Sequence, residues 1–387
     1  MPPTRLALVT TYMPPHLGGI ERIADTLFHG YVRAGCEVRW VTSRVPAELP
    51  SAEGPITRVP AWNAVEERLG VPLPVWGASG LRALRAAFAE CDAVVVLEGL
   101  YLTSALAVVA ARRAGKPVML IQNVGFIPYG SRAIEAVERL AYATLGRWIF
   151  GAADHVVLAT PTADAFVRSL MAGRRWSCST QPVGVDGEVF APATPDDRRA
   201  ARVALGIRPD ERVALFACRL VEKKGLPIVL GTAERLPEVR FLVAGDGPLR
   251  HLLGGAPANV RPLGAVPLHE MPALYRAADV VLLPSRGEGL PLLVQEAMAC
   301  GLPAVVSEDE VYARDLLAAR VCRGARRDPA AFAAALRDAL AAPLEERERA
   351  RAYALERWGL DATLRHHLSV LEAIRRRAAP APAAPPR

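Results

Sequence analysis

The stretch LLPSRGEGLPLLVQEAMACGLPAVVS, residues 282–307, carries two glutamates, Glu288 and Glu296, eight positions apart in otherwise apolar surroundings. A buried segment excludes carboxylates unless they find partners. Hydroxyl groups are such partners: a loop carboxylate at Glu288 would bond a polyol, and one in the following helix, at Glu296, suits a ribose diol. Gly289 and the N–H groups near Leu292 and Leu293 could hold a phosphate at the helix mouth, with Pro291 pre-setting the helix start. A second stretch, CRLVEKKG (218–225), offers Arg219 and Lys224. Arginine as a fork and lysine as a point charge can hold a diphosphate; standing alone, the loop reads first as a solvated charge pair.

Two further loops are less specific. In YMPPHLGGIERIA, Gly18 and Gly19 lead into a helix, where the backbone can approach an anion or simply turn. VAGDGP, 243–248, reads first as a tight turn. These loops share a position. Each follows a short apolar strand and precedes a helix, and ligands of open parallel sheets bind at the carboxyl ends of strands. RLALVTTYM, CEVRWVTSR, DAVVVLEGL, PVMLIQNVG and HVVLATP form one series of strands, separated by helices such as GIERIADTLFHGYVRAG. QPVGVDGEVFAPATPDDRR interrupts the alternation with proline, glycine and charge. It then restarts with RVALFACRL, VRFLVAGDG, NVRPLG, DVVLLPS and PAVVS. Near-continuous apolar strands separated by helices predict parallel sheets covered on both faces. The expected fold class is therefore α/β, two Rossmann-like domains facing a central cleft.

The chain of 387 residues exceeds one ordinary core, which supports the division. With 51% hydrophobic and 22% charged residues it is globular. A formal charge of +7 suits anionic partners, although arginine-rich coding bias would give the same excess. The six cysteines are scattered without a CxxC pair, so reduced core thiols and a cytoplasmic location are expected. The first residues lack the apolar length of a signal peptide, and no run approaches the roughly 18 apolar residues of a membrane span.

The order GG, R-x4-KG, GDGP and E-x7-E followed by AMACGLPAVV resembles the retaining glycosyltransferases of family four, over about residues 5–375. The resemblance implies the two-Rossmann glycosyltransferase-B fold. It implies a nucleoside-diphosphate sugar as co-substrate, no cofactor and no metal, in keeping with the lack of a clear DxD after a strand. The acceptor would be a glycan, a lipid-linked sugar or a small molecule. Carried over by match, Glu296 would bind the ribose and Glu288 the sugar hydroxyls. Arg219 and Lys224 would stabilise the leaving diphosphate, and Gly18 and Gly19 would approach phosphate or acceptor. The domains are expected at 1–190 (acceptor) and 191–357 (donor), with a helix over 358–377 returning to the first and a disordered tail at 378–387.

One position departs from the family. After PVMLIQ the family usually places a histidine near the transferred sugar, and here Asn123 stands in its place. Asparagine can donate a hydrogen bond to a sugar but cannot carry a proton. A non-catalytic sugar-nucleotide-binding protein and a nucleotide-sugar epimerase are the rival readings. His366 and His367 are expected at the surface, and Trp62 and Trp76 in a loop that could stack on an acceptor. AIEAVERLAYATLGRWIF, with Arg132, Arg139 and Arg147, could lie on an anionic membrane, or be an ordinary buried helix. Nucleic acid is not an expected partner.

Overall fold

The computed structural model describes residues 4–16, 18–64, 66, 73–126 and 132–378, side chains 133 and 134 excepted. The expected tail lies outside these residues, apart from Ala378, the last residue of a helix. The chain divides into two units: Met1–Val183 with Thr363–Arg387, and Gly184–Ala362.

Unit 1 contains β1 (Arg5–Val9), β2 (Glu37–Ser43), β3 (Ala52–Glu53), β4 (Ile56–Val59), β5 (Ala61–Trp62), β6 (Val75–Trp76), β7 (Ala93–Leu97), β8 (Val118–Gln122), β9 (His155–Leu158) and β10 (Cys178–Thr180). Its main sheet runs β10-β9-β8-β7-β1-β2-β4-β3, and β5 pairs with β6 apart from it. Only the short edge strand β3 is antiparallel within that sheet. All five residues of β7 and of β8 are buried, as a strand covered on both faces requires. The helix Gly19–Arg33 turns Ala24, Leu27, Phe28 and Tyr31 inward at helical spacing.

Unit 2 contains β11 (Arg212–Ala217), β12 (Val239–Ala244), β13 (Val260–Gly264), β14 (Val280–Leu283), β15 (Ala304–Ser307) and β16 (Arg323–Ala325), in the order β13-β12-β11-β14-β15-β16. All its pairings are parallel. Asp279, buried just before β14, ties the sheet to the helix Pro195–Ala204. Its Oδ2 accepts from the Arg202 guanidinium and from the Val213 N–H, each at 2.8 Å, and its Oδ1 pairs with Arg198.

Each sheet has one point where the winding reverses. In unit 1, β1 lies between β2 and β7; in unit 2, β11 lies between β12 and β14. Loops leaving neighbouring strands there diverge to opposite faces and leave a crevice at the strand ends. The loops so placed follow β1 and β7 in unit 1, and β11 and β14 in unit 2.

The units are joined by two chain segments that run side by side. The Val185 N–H donates to the Trp358 carbonyl and the Leu360 N–H to the Val185 carbonyl, at 2.6 and 3.0 Å. A Cβ on Gly184 would fall 2.4 Å from the Leu360 Cα, so only glycine permits the crossing. Beyond it the last helix, from Thr363 on, belongs to unit 1. Two surface expectations need correction. His367 is completely buried against the Tyr31 hydroxyl at 2.8 Å, because it falls on the helix face that covers unit 1. Trp76 is buried with its indole N–H on Ser43, while Trp62 is 61% exposed.

Candidate active site

In unit 2 the chain leaves β11 through Cys218–Leu220, and the GDGP turn holds that backbone. The Leu220 N–H donates to the Asp246 carbonyl at 2.8 Å. A Cβ on Gly245 or Gly247, both at positive φ, would lie 1.9 Å from the Cys218 carbonyl oxygen or 2.6 Å from that of Leu220. The two glycines let the turn press against the Arg219 loop. One short turn later Gly225, at φ 77°, passes the loop after β14 so closely that a Cβ would meet the Pro284 carbonyl at 2.4 Å. This backbone contact brings Lys224 onto Glu288, with Nζ 2.8 Å from Oε1 and side chains only 17% and 10% exposed. Arg219 stays exposed, without an ion-pair partner among the described residues.

Glu288 is itself held from behind. The Glu310 carboxylate accepts from the Gly287 and Glu288 N–H groups, one on each oxygen, both at 2.8 Å. Gly289 and Pro291 then lead into the helix Leu292–Ala299. The N–H groups of Leu292 and Leu293 precede its first turn-closing bond, from the Val294 N–H to the Pro291 carbonyl at 3.1 Å. Glu296, one turn in, is buried and accepts from the Tyr275 hydroxyl at 2.5 Å. The structure thus places Arg219, Lys224, Glu288 and Gly289 on the two loops that follow β11 and β14, and Leu292, Leu293 and Glu296 on the helix that the second loop opens. An exposed cation, a desolvated ammonium–carboxylate pair and an open helix start can between them meet an anion and a polyol.

Unit 1 holds the remaining candidates, Gly18 and Gly19 at its own reversal point and Asn123 two strands from β1, after β8. Gly18 caps the helix Gly19–Arg33, and Glu21 curls back so tightly that a Cβ at 18 would lie 2.0 Å from its Oε2. His16 bridges Glu21 at 2.9 Å and Glu66 at 3.0 Å, with the Tyr12 ring stacked on it at 4.0 Å. Burial alone would lower His16, but the bonds to both carboxylates raise it to about 9, so it is an imidazolium at neutral pH. Asn123 follows β8, buried beside Glu98.

Glu310, Tyr275 and Glu98 were not singled out from the sequence. Only Glu98 leaves a trace there, a carboxylate closing the apolar run AVVVL just before Gly99. Among the described residues no cluster of three or more His, Cys, Asp or Glu could hold a metal ion.

Comparison with known proteins agrees with this architecture. The family model for group 1 glycosyl transferases matches residues 197–357, and that for glycosyltransferase family 4 matches residues 17–189. The chain belongs to this family. Over 135 residues it is 42% identical to the D-inositol 3-phosphate glycosyltransferase of Mycobacterium tuberculosis, a stretch that is 32% of this chain and 28% of that protein. The chain therefore spans well under a third of that curated relative. Among solved structures, sucrose-phosphate synthase from Thermosynechococcus elongatus superimposes with a TM-score of 0.77 at 18% identity, covering 96% of this chain and 99% of that one. Anabaena HepE in complex with UDP does so with a TM-score of 0.72 at 17% identity, covering 96% and 100%. At these identities the likeness is one of fold, the two-Rossmann glycosyltransferase-B architecture.

Proposed function

We propose that this protein is a retaining glycosyltransferase that moves a sugar from a nucleoside-diphosphate sugar to a hydroxyl of a glycan, lipid-linked or small-molecule acceptor, without a metal ion. The observation that carries the reading is the Lys224–Glu288 pair at the reversal point of unit 2, on loops that also carry exposed Arg219 and lead into the helix bearing Glu296. Glu296 would hold the ribose, and Glu288 a sugar hydroxyl. Arg219 and Lys224 would neutralise charge as it builds on the departing diphosphate, which lowers the barrier more than it tightens ground-state binding. Structures of Anabaena HepE with UDP and with UDP-glucose support a uridine nucleotide as the first candidate.

A thermal-shift panel of UDP, GDP, ADP and TDP, followed by turnover of the matching sugar nucleotides with and without acceptor, tests this reading. Transfer that survives EDTA and keeps the anomeric configuration is expected. Binding without turnover would favour the non-catalytic reading, and epimerisation without acceptor the third. A strict requirement for manganese or magnesium would remove the charge-neutralising role of the two cations.

We further propose that unit 1 meets an anionic membrane through the segment Arg132–Ala152. Val137, Leu140 and Trp148 are exposed there, at 68%, 65% and 46%, on one side of successive turns. Cosedimentation with vesicles containing phosphatidylglycerol should fall at least severalfold in Leu140→Glu/Trp148→Glu. Equal binding by wild type and variant would refute the contact.

A further inference from the structure

Glu98 closes β7, next to the reversal point of unit 1, with a backbone at φ 64°. This left-handed conformation is rare for a residue with a long side chain. The side chain turns inward and is 3% exposed. Its Oε1 accepts from the Asn123 backbone N–H at 2.9 Å and from Asn123 Nδ2 at 2.8 Å, and its Oε2 accepts from Gln122 Nε2 at 2.7 Å. Two backbone groups fix these polarities. The Asn123 N–H can only donate, so Oε1 is an acceptor there. The Gly99 N–H donates to Gln122 Oε1 at 2.7 Å, which leaves the Gln122 amide nitrogen to face Glu98. Asn123 must therefore turn its NH2 toward Glu98 and its Oδ1 away. That oxygen is buried, and none of the described residues donates to it.

We propose that Asn123 meets the substrate with its carbonyl oxygen and not with its amide, and that Glu98 is the positioning residue that turns it that way. The inference rests on the glycosyltransferase reading above and sharpens it. The group received at the end of β8 is a hydrogen-bond donor, a sugar or acceptor hydroxyl. The asparagine thus works with the polarity opposite to the donation expected of it from the sequence. A carboxylate behind the amide polarises it and makes Oδ1 a stronger acceptor. Burial raises Glu98 to about 7, opposed by the bonds from the Asn123 side chain and from the Asn123 and Val124 backbone, and the Glu21 carboxylate of the helix Gly19–Arg33 adds to the rise. Protonation of Glu98 would supply an O–H and release the amide to reverse, so the bond to the hydroxyl should weaken below that pH.

The test has a ligand-free arm and a substrate arm. In the full-length protein labelled with 13C-glutamate, the carboxyl resonance lost in Glu98→Gln identifies Glu98. Its titration midpoint should rise by about one pH unit in Asn123→Leu, because a donor to the charged form has been removed. Asn123→Ala serves as the second variant should leucine disturb folding. A lowered or unchanged midpoint in the folded variants would mean the amide does not donate to Glu98, and the proposal fails. In the substrate arm, affinities are measured at pH 8 for UDP, UDP-glucose, GDP-mannose and ADP-glucose. Glu98→Gln and Asn123→Leu should leave bare UDP unaffected and weaken the preferred sugar nucleotide about tenfold, with the wild type losing the same preference as pH falls below 7. Undiminished affinity in both variants would overturn the substrate contact. Failure of the wild type to bind any of the four would count against the glycosyltransferase reading, while the titration still decides the orientation of Asn123.

Discussion

At the scale of single residues, the Lys224–Glu288 pair has two separable roles. Both side chains are largely buried, so removing one leaves the other charged and desolvated. Lys224→Met should therefore lower stability as well as turnover, whereas Lys224→Met/Glu288→Gln should recover about 0.5–3 kcal/mol of that stability and remain inactive. Urea unfolding and turnover of the two single variants and the double form the check; strictly additive stabilities would mean the ion pair contributes nothing. Arg219, exposed and unpaired among the described residues, is expected to cost roughly a hundred- to a thousandfold in turnover on replacement by alanine, with little change in stability. Legibility follows the same division. Arg219, Lys224, Glu288 and Glu296 stand out in the sequence because charge is conspicuous in apolar strand-end loops. Glu310 does not: its partners Gly287 and Glu288 lie 22 or more residues away, and nothing local tells a carboxylate that grips a loop from one on the surface. Glu98 was visible only as an interruption of an apolar run, since its role depends on the neighbouring strand β8.

At the scale of elements, apolar runs bounded by glycine and proline announced both parallel sheets, because a strand buried on two faces has little compositional freedom. Apart from the four-residue β4, the pieces that went unread are the shortest ones. β3, β5 and β6 have two residues each and β10 and β16 three, too few to show any period. Sheet order was equally invisible, since it depends on contacts between distant strands, yet it decides which loops meet. Unit 2 secures its order with Asp279. Arg202, 4% exposed, keeps its carbonyl partners if Asp279 is removed, but loses its counter-charge. Asp279→Ala is expected to cost about 3–5 kcal/mol, read as a lower urea midpoint for unit 2, because it strands a buried guanidinium and leaves the Val213 N–H without its acceptor. A loss under 1 kcal/mol would show that Arg202 is held by carbonyls alone.

At the scale of the whole molecule, the helix Leu360–Ala378 helps to complete the core of unit 1. Thr363, His367, Leu371 and Ile374 are buried in unit 1. Burial, then the nearby His366 and His155, push His367 down to about 3. A histidine of folded pKa near 3 and unfolded pKa near 6.5 binds fewer protons when folded between those values. Its neutral burial is thus fully tolerated above 6.5, and stability falls as pH drops toward 3, by about 2 kcal/mol at pH 5 relative to pH 7. His367→Gln should flatten that slope in urea titrations; an unchanged slope would assign the acid sensitivity elsewhere. The segmentation has a further outcome during synthesis. Unit 2 is one continuous stretch, Gly184–Ala362, while unit 1 is assembled from both ends of the chain. As the polypeptide leaves the ribosome, unit 1 emerges first but finishes last. Its Tyr31 hydroxyl must wait for the imidazole of His367, 336 residues downstream, while every residue of unit 2 is already available to fold.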